Sequence, residues 1–377
     1  LSPDLPPPVV VAAGPWPYQV VVGWHHLHSL GAQVQRVVPR ARQIAVLTDT
    51  PTWERLGNTV SESLLGVGLE LQVRTVAADE RVKTIEDVNA IYDWLLDIRL
   101  RRDDIILVAG GGALDDLAGF VASTYMRGVP LVKVPTSLEG MVDSAIGGKT
   151  ALNHRRARNL IGTFYHPRLV WADASLLSGE PERQRRAAWA EVVKHAMLEH
   201  SLLPGEAISA PLFDHLEQHV DALLALDRPT LLPVIARCVA LKAQVVAADE
   251  RDFGQFRILL NYGHTVGHAL ETATNYELRH GEAVAIGMAV EANLAVRLGL
   301  ADVSVEQRQT ELLARFGLPT RIPTVARELL LELINRDKKV FGDAPRWILP
   351  KAIGRATVSS SISQADLIAT LEALGEH

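Results

Sequence analysis

The sequence predicts an α/β N-terminal part followed by an all-helical C-terminal part. Between residues 9 and 135, short β-branched runs alternate with stretches of helical periodicity. This alternation is typical of a parallel sheet covered by helices. From about 181 to 335, the strand signals stop and the helical pattern continues. The boundary is therefore expected near 175–180, which divides the chain into domains 1–178 and 179–377.

Individual elements follow from the same patterns. In the N-terminal part we expect strands at 9–12, 18–22, 43–49, 69–76, 104–108 and 130–135, and helices at 24–38, 51–65, 84–100 and 113–124. The run Gln43–Asp49 is almost wholly apolar, as in strands that are covered on both faces. In the C-terminal part we expect helices at 181–200, 230–248, 282–299, 304–316 and 325–335, short strands at 346–349 and 356–359, and a last helix opened by Ser363.

Composition excludes several classes of protein. The chain has 377 residues, of which 48% are apolar, so it can build sizeable cores. A formal net charge of −6 provides no basic footprint for nucleic acid. The single cysteine, Cys238, lies in an apolar run, which fits a buried thiol in a reducing compartment. No uninterrupted apolar stretch of membrane-spanning length is expected, so the sequence indicates a soluble cytoplasmic protein without a membrane partner.

A glycine turn in the N-terminal part is a candidate anion cradle. The strand at 104–108 runs into Gly110, Gly111 and Gly112, and a helix follows. Free backbone N–H groups and the helix dipole then point at one spot, which suits a pyrophosphate. The turn is not a GxGxxG fingerprint, and a merely tight turn is the alternative. Asp116, in the first turn of that helix, either contacts a cofactor or simply reflects the preference for acid at a helix start.

Three histidines cluster in the C-terminal part. His264 and His268 are four residues apart, so they share one face of a helix, and His280 follows in His-Gly-Glu. Imidazoles paired on a helix face are typical of a divalent metal site. Ordinary packing or capping histidines are the alternative, and the spacing does not say which of the three would bind.

Charged residues inside apolar surroundings add further candidates. Glu191 and Lys194 are three apart, either as a surface ion pair or as a partly buried one. Lys242 stands in an apolar helix and either snorkels or reaches a polar cavity. Asp143 and Lys149 flank a Gly-Gly turn and look like site residues. Together these features suggest a metal-assisted, nucleotide-dependent enzyme for a small anionic sugar-like substrate, with its active site between the two predicted domains.

Ordered motifs carry a family resemblance across roughly residues 80–355. They are GGGALDDLAGF (110–120), YMRG (125–128), VDSAIGGKTALNH (142–154), RNLIGTF (158–164), AEVVKH (190–195), RILLNYGHTVGHALE (257–271), HGEAVAIGM (280–288) and DKK (337–339). The sequence is similar to the 3-dehydroquinate synthases, a family of sugar-phosphate cyclases in the shikimate pathway. The resemblance implies a Rossmann-like NAD-binding α/β domain, a mainly helical metal- and substrate-binding domain, and a homodimer.

The resemblance also implies roles for individual residues. Those expected to bind the metal, zinc or cobalt, are Glu191, His264 and His280. Those expected at the substrate's carboxylate and ring hydroxyls are Lys194, Asp143, Lys242, Arg257 and Asn261, and those expected on its phosphate side are Arg127, Lys149, Asn159, His268 and Lys338. Arg127 is expected to reach across the dimer interface. Those expected to contact NAD are Asp49, Glu80, Lys83, Gly110, Gly111, Gly112, Asp116, Thr136, Ser137 and Arg158.

The family reaction converts 3-deoxy-D-arabino-heptulosonate 7-phosphate to 3-dehydroquinate and phosphate. A hydride passes transiently to NAD, phosphate leaves by elimination, the hydride returns, and an intramolecular aldol closes the ring. Two departures from the family pattern are expected to alter the cofactor region. Arg158 stands where the family usually has lysine, and Asp115 replaces a glycine, which would place a second carboxylate near the cofactor phosphates.

The sequence leaves other functions open. Sibling cyclases that make 2-deoxy-scyllo-inosose or valiolone typically differ at positions 261 or 268, whereas Asn261, His268 and Arg257 are all present here. An aminodehydroquinate synthase differs only in a nitrogen of its substrate. An NAD-dependent polyol dehydrogenase is disfavoured, because it would have no use for the cluster of cationic side chains. A non-catalytic NAD- or sugar-phosphate-binding regulator is disfavoured by the complete set of metal ligands.

Overall fold

The computed structural model describes residues 7–14, 16–155, 157–253, 256–335 and 346–375. Lys338 lies outside these ranges. The chain divides into two compact units. The first comprises Leu1–Glu180 and Ile235–Arg251, and the second comprises Pro181–Val234 and Asp252–His377.

A seven-stranded sheet forms the centre of the first unit. In chain order the strands of this unit are β1 Val9–Val11, β2 Tyr18–Gly23, β3 Gln43–Thr48, β4 Glu70–Thr75, β5 Ile105–Gly110, β6 Leu131–Pro135, β7 Lys149–His154, β8 Ala157–Phe164 and β9 Leu169–Asp173. The sheet order is β1-β2-β9-β6-β5-β3-β4, and only the β1–β2 pair is antiparallel. The remaining strands, β7 and β8, form a separate antiparallel hairpin.

The helices of the first unit lie where the apolar periodicity predicts them. They are α1 Leu30–Val37, α2 Thr50–Leu65, α3 Ile85–Asp97 and α4 Gly112–Thr124. Every residue of β3 and β5 is buried, as expected for strands that are covered on both faces. Parallel strands end at one edge of a sheet, and ligands of such folds bind outside that edge. The ends of β3 and β5 carry Asp49 and the glycine turn, respectively.

Helices dominate the second unit. They are α5 Glu182–Leu202, α6 Leu212–Leu224, α7 Arg228–Ala248, α8 His264–Ala273, α9 His280–Arg297, α10 Val303–Arg315, α11 Arg327–Ile334 and α12 Gln364–Leu374, with the hairpin strands β10 Trp347–Ala352 and β11 Arg355–Ser359. Residues 235–248 of α7 belong to the first unit. Helix α9 is central, because it packs against α5, α8, α10, α12 and β10 and is buried along most of its length. The predicted fold class is confirmed for both parts of the chain.

Two differences from the sequence-based expectations have simple causes. The β7–β8 hairpin and β9 were not predicted as strands, because glycines and polar residues interrupt the β pattern of the hairpin. Helix α9 begins at His280 rather than at Glu282, because Glu282 caps the helix from its third position. By length and composition alone, α7 could cross a membrane, but Arg237 and Lys242 interrupt its apolar sequence, and 56% of its apolar window is buried inside the protein, as in core helices of soluble proteins.

Candidate active site

Helix α5 carries two of the charged candidates on its buried face. Glu191 and Lys194 are 2% and 1% exposed, and the Lys194 ammonium contacts the Glu191 carboxylate closely. Burying a charge is costly unless it is paired. Of the two interpretations left open by the spacing, the buried pair is therefore the one observed.

Helix α8 presents His264 in one defined orientation. The helix begins at His264, and Glu291 from α9 accepts a hydrogen bond of 2.8 Å from the Gly263 N–H just before it. The Nδ1 of His264 contacts the Tyr262 carbonyl at 3.1 Å, and its Nε2 lies 3.6 Å from Glu191 Oε1. Burial and the neighbouring charge of Lys194 hold the pKa of His264 well below its ordinary value. The imidazole is therefore neutral, as a metal ligand must be.

Helix α9 presents His280 through the His-Gly-Glu motif. The Glu282 carboxylate accepts a hydrogen bond of 2.8 Å from the Arg279 N–H, and it binds the Arg183 guanidinium of α5 through bonds of 2.7 and 2.8 Å. Gly281 lets the helices approach, because a Cβ there would lie 1.9 Å from the Ala187 carbonyl oxygen. The glycine and glutamate of the motif thus fix the start of α9 against α5.

Three donors converge on one point. The ligand atoms of Glu191, His264 and His280 all lie within 4.8 Å of one another, and each histidine Nε2 lies 3.6 Å from Glu191 Oε1. Donors at about 2.0–2.1 Å from a tetrahedral ion are separated by about 3.3 Å, so the spacing fits a divalent metal. Lys194 contacts Oε2 of Glu191, while Oε1, the oxygen near both imidazoles, accepts no hydrogen bond within the described part of the chain. The donor set and this unsatisfied oxygen therefore fit the expected metal.

Other predicted substrate residues of the second unit lie on α8 or in the turn just before it. His268 lies one turn after His264, with ring centroids 5.3 Å apart, and is solvent-exposed. Arg257 is 3% exposed, at the start of the short 3₁₀ turn Arg257–Asn261. Asn261 ends that turn and is exposed. A second donor group, formed by His268, Glu271 and His280, also has its ligand atoms within 4.8 Å.

In the first unit, the glycine turn joins β5 to α4 as the sequence predicts. The Thr136 N–H donates to the Gly110 carbonyl at 3.1 Å, and Ser137 Oγ accepts from the Gly140 N–H at 3.2 Å. Nothing lies within 4 Å of the place where a Gly111 Cβ would be, so the N-terminus of α4 faces open space. A recess there is lined by Val108, Gly110, Gly111, Gly112, Asp115, Val134, Pro135, Gly140, Ser144 and Ala145. Backbone N–H groups at a glycine turn before a helix suit a dinucleotide pyrophosphate.

Asp49 lies beside the turn but has a structural partner. Its carboxylate caps α2 by accepting a hydrogen bond of 2.9 Å from the Thr52 N–H. The other carboxylate oxygen lies 3.6 Å from the position of a Cβ on Gly110. Asp49 is therefore near the cradle while holding the start of α2.

The remaining cofactor candidates are grouped around Lys83. Its buried ammonium binds Asp116 Oδ2 at 2.6 Å and Asn159 Oδ1 at 2.5 Å, and Glu80 Oε2 lies 3.6 Å away. Arg158 binds the same Glu80 oxygen at 2.8 Å. Burial raises the pKa of Asp116 to about 6, although Lys83 opposes that shift. Asn159, expected on the phosphate side of the substrate, thus lies with the residues expected to contact NAD.

Asp115 lies beside the glycine turn, as its position in the sequence indicates, and is paired with a lysine. Its Oδ2 binds the Lys133 ammonium of β6 at 2.7 Å, and both side chains are buried. Burial raises the pKa of Asp115, and the charge of Lys133 opposes that shift. The charge of the Asp115 carboxylate is therefore balanced by the Lys133 ammonium. The local sequence does not indicate this pair, because Lys133 lies in the adjacent strand.

The remaining candidates of the first unit lie in three separate places. Lys242 is largely buried and forms a close ion pair with Asp143, so it reaches a polar partner rather than snorkelling. Lys149 begins β7 and is exposed. Arg127 is exposed at φ 64°, in a short turn that ends at Gly128.

Sequence reasoning missed two side chains that contact site elements. Arg183 holds Glu282, but the two are 99 residues apart, so no local pattern connects them. Glu271 lies 3.5 Å from the Nδ1 of His280. A signal for Glu271 exists, because it follows His264 by seven residues and so shares its helix face.

Comparisons with known proteins agree with this geometry. A family model described as 3-dehydroquinate synthase N-terminal matches residues 73–187, and one described as 3-dehydroquinate synthase C-terminal matches 188–340. The chain is 40% identical over 371 residues to a 3-dehydroquinate synthase of Synechocystis sp., covering 97% of this chain and 98% of the relative. It is 42% identical over 319 residues to a 3-dehydroquinate synthase of Halorhodospira halophila, covering 84% and 87%.

Solved structures show the same architecture. The 2-epi-5-epi-valiolone synthase of Streptomyces hygroscopicus subsp. jinggangensis 5008, with NAD⁺ and Zn²⁺ bound, superposes with a TM-score of 0.85 at 28% identity, covering 97% of this chain and 99% of that one. A 2-deoxy-scyllo-inosose synthase complexed with carbaglucose-6-phosphate, NAD⁺ and Co²⁺ superposes with a TM-score of 0.83 at 24% identity, covering 97% and 100%.

Proposed function

We propose, because this chain belongs to the 3-dehydroquinate synthase family, that it converts 3-deoxy-D-arabino-heptulosonate 7-phosphate to 3-dehydroquinate and inorganic phosphate. The enzyme is then a phosphorus–oxygen lyase of the shikimate pathway, which leads to chorismate and the aromatic amino acids. The observation that carries the proposal is the meeting of Glu191, His264 and His280 around one point, with Lys194 in contact with the glutamate.

The three donors are proposed to hold a divalent ion, zinc or cobalt. When bound, the ion supplies Lewis-acid polarisation of a substrate hydroxyl or carbonyl. Three protein ligands leave a further position open, as in catalytic sites. Lys194 supplies a second positive charge at Glu191 that stabilises developing oxyanions without reorganisation.

The first unit is proposed to bind NAD, which when bound would supply reversible hydride transfer. Backbone N–H groups at Gly110, Gly111 and Gly112 would face the pyrophosphate, and Asp116 with Lys83 would line the neighbouring surface. Asp49, Glu80, Thr136, Ser137 and Arg158 complete the proposed cofactor set. Lys83 and Arg158 keep the nearby carboxylates paired, which limits repulsion of the anionic cofactor.

Cationic and amide side chains are proposed to bind the anionic groups of the substrate. In the second unit, the buried guanidinium of Arg257 suits the carboxylate, Asn261 suits a ring hydroxyl, and His268 suits the phosphate. In the first unit, Lys242 with Asp143 is assigned to the hydroxyls, and Lys149 and Asn159 to the phosphate. Lys338, outside the described residues, and Arg127 complete the proposed phosphate set. The functional division between residues 1–178 and 179–377 is part of this proposal.

A homodimer in the cytoplasm is proposed as the working form. The hairpin exposes Leu160, Ile161 and Phe164 at 61%, 45% and 39%, which supports its burial against a second copy. Arg127 would then serve the partner's substrate. Sedimentation of the wild type and Leu160→Asp tests the dimer: a monomeric wild type would exclude it.

Sibling activities are the alternatives. Solved neighbours include cyclases named for valiolone and deoxy-inosose products. Arg257, Asn261 and His268 are all present here, which favours a substrate that carries a carboxylate. Aminodehydroquinate synthesis remains the nearest alternative, since only one atom of its substrate differs.

Product analysis tests the proposed activity. Purified protein with NAD and zinc is incubated with the heptulosonate phosphate, with its amino analogue, or with a heptulose phosphate that lacks the carboxylate. We expect stoichiometric phosphate and 3-dehydroquinate from the first substrate, and at least tenfold slower turnover of the others. Folded, zinc-loaded protein that releases neither product would contradict the proposal, and faster turnover of the amino analogue would assign the sibling activity.

A further inference from the structure

The two ring nitrogens of His280 face two different carboxylates. Nε2 lies 3.6 Å from Glu191 Oε1, and Nδ1 lies 3.5 Å from Glu271 Oε1. Glu271 lies on α8, two turns after His264, and its side chain is 14% exposed. The imidazole of His280 therefore lies between the proposed ligand carboxylate and a carboxylate outside the donor set.

His264 offers a direct comparison within the same site. Its Nε2 also lies 3.6 Å from Glu191 Oε1, and its Nδ1 lies 3.1 Å from the Tyr262 carbonyl oxygen. Both histidines thus direct Nε2 at the common point and Nδ1 at an oxygen. For His264 that oxygen belongs to the backbone of the preceding turn. For His280 it belongs to a side chain.

We propose that Glu271 is a positioning residue, which accepts a hydrogen bond from the Nδ1–H of His280 and so fixes its Nε2 lone pair for a divalent ion. A neutral imidazole carries its proton on either nitrogen, and only the Nδ1–H form has a free lone pair at Nε2. An oxygen acceptor at Nδ1 selects that form and orients the ring. The inference rests on the proposed metal site and is independent of the identity of the substrate.

His280 needs this support more than the other donors do. Its side chain is 32% exposed, against 13% for His264 and 2% for Glu191. Packing therefore restrains the ring of His280 least, and a hydrogen bond on its outer edge has the most to contribute. Arg183 and Glu282 fix the backbone at the start of α9, but they do not determine the rotation of the ring.

A second ion at His268, Glu271 and His280 is the competing interpretation of the same distances. If one ion lay on each side of His280, both ring nitrogens would act as ligands. The imidazole would then have to lose its remaining proton and become an imidazolate, since a neutral ring offers only one lone pair. A single ion with Glu271 as hydrogen-bond acceptor requires no such deprotonation.

Zinc titration of the metal-stripped, full-length protein tests the proposal without substrate or NAD. Zinc competes with a chromophoric chelator in the wild type, Glu271→Ala, Glu271→Gln and the control Glu311→Gln, an exposed glutamate of α10. We expect one ion per chain and an affinity that is 10–100-fold weaker in Glu271→Ala. Glu271→Gln keeps an oxygen acceptor and should recover most of the loss, whereas Glu311→Gln should match the wild type.

Protonation of His280 gives a second readout that a purely structural role would not change. In metal-free protein labelled with ¹⁵N-histidine, with the His280 signals assigned by His280→Ala, we expect Nδ1–H in the wild type and a mixture of tautomers in Glu271→Ala. Equal zinc affinity and an unchanged tautomer in Glu271→Ala would overturn the proposal. So would two ions per chain, one of them lost in both Glu271→Ala and His268→Ala. A wild type that binds zinc as expected but makes no 3-dehydroquinate would contradict only the proposed function.

Discussion

Buried charged side chains are arranged differently around the nucleotide cradle of the first unit and in the donor cluster of the second. Around the cradle, each buried lysine already has a carboxylate partner: Lys83 pairs with Asp116, and Lys133 pairs with Asp115. In the cluster, one carboxylate, that of Glu191, faces Lys194 and two imidazoles directed at a shared point. The charges beside the cradle are already paired, whereas the donor atoms of the cluster are placed so that they could hold a cation.

Because of this difference, NAD and the metal should affect the protein differently when they bind. Because the cradle uses backbone N–H groups and compensated charges, NAD should bind without reorganising the first unit. The cluster holds donors that gain their main partner only when a cation binds, so the metal should stabilise the second unit. Substitutions in the two regions should therefore separate cofactor affinity from metal-dependent stability.

Loss of Glu191 should have the largest effect. Glu191→Ala removes one metal donor and leaves Lys194 buried without its carboxylate, so we expect turnover to fall by at least about 10³-fold. Zinc at 100 times its dissociation constant should stabilise the wild type by about 2.7 kcal/mol, and this gain should vanish in the variant. Urea unfolding with and without zinc measures it. Asp116→Asn is the matched control and should keep the zinc gain; an equal gain in Glu191→Ala would refute the assignment.

The buried pair beneath the cradle should show the next largest effect. Asp115→Leu leaves the Lys133 ammonium buried and unpaired, at a cost of about 3–5 kcal/mol of unfolding free energy. The double variant Asp115→Leu/Lys133→Met should recover most of that loss, because apolar side chains can replace the pair. A double-mutant cycle in urea gives the coupling energy. Additive losses would mean that the two charges do not depend on each other.

Replacing a glycine by alanine should have different effects in the two regions. At Gly281, a Cβ would lie 1.9 Å from the Ala187 carbonyl oxygen, so Gly281→Ala should cost about 1–3 kcal/mol and weaken zinc binding by moving His280. At Gly111, a Cβ meets nothing within 4 Å, so Gly111→Ala should leave stability within about 0.5 kcal/mol but weaken NAD binding by occupying the cradle. Urea unfolding and calorimetric titration measure these effects. The opposite pattern would contradict both structural assignments.

The pH dependence of Asp116 should give the smallest effect. Its pKa is about 6 when folded, against 3.8 for the ordinary group. Between these values the folded state holds a proton that the unfolded state has lost, so stability falls as the pH rises. A 26% exposed side chain reduces the effect to about 1–2 kcal/mol. We expect the stability of the apoprotein relative to Asp116→Asn to fall by that amount between pH 4 and pH 6.5. A difference that is constant with pH would contradict the burial of this carboxylate.

Local sequence patterns predict the scaffold better than the contacts that complete it. The apolar runs of β3 and β5 and the glycines after β5 identify the cradle, because backbone conformation and burial follow from neighbouring residues. The β7–β8 hairpin was not predicted, because glycines and polar residues interrupt the β pattern in its sequence. The pairs Arg183–Glu282 and Lys133–Asp115 join separate elements, and no local pattern encodes them.

The donor cluster shows the same limit. The spacing of His264 and His268 predicts a shared helix face near a metal, but it does not separate a ligand from a neighbour. The set Glu191, His264 and His280 came from the family resemblance, and the fold brings these three together across 89 residues of sequence, from 191 to 280. A helix face is encoded locally, whereas the meeting of α5, α8 and α9 depends on packing at positions such as Gly281.

Anomalous diffraction at the zinc edge, from crystals grown with zinc, tests the arrangement of the donor cluster most directly. We expect one anomalous peak per chain, about 2.0–2.2 Å from Glu191 Oε1 and from the Nε2 atoms of His264 and His280. Glu271 should then lie at hydrogen-bond distance from His280 Nδ1. A peak between His268, Glu271 and His280 instead, or zinc-bound protein without a peak at Glu191, would contradict the assignment of these three donors.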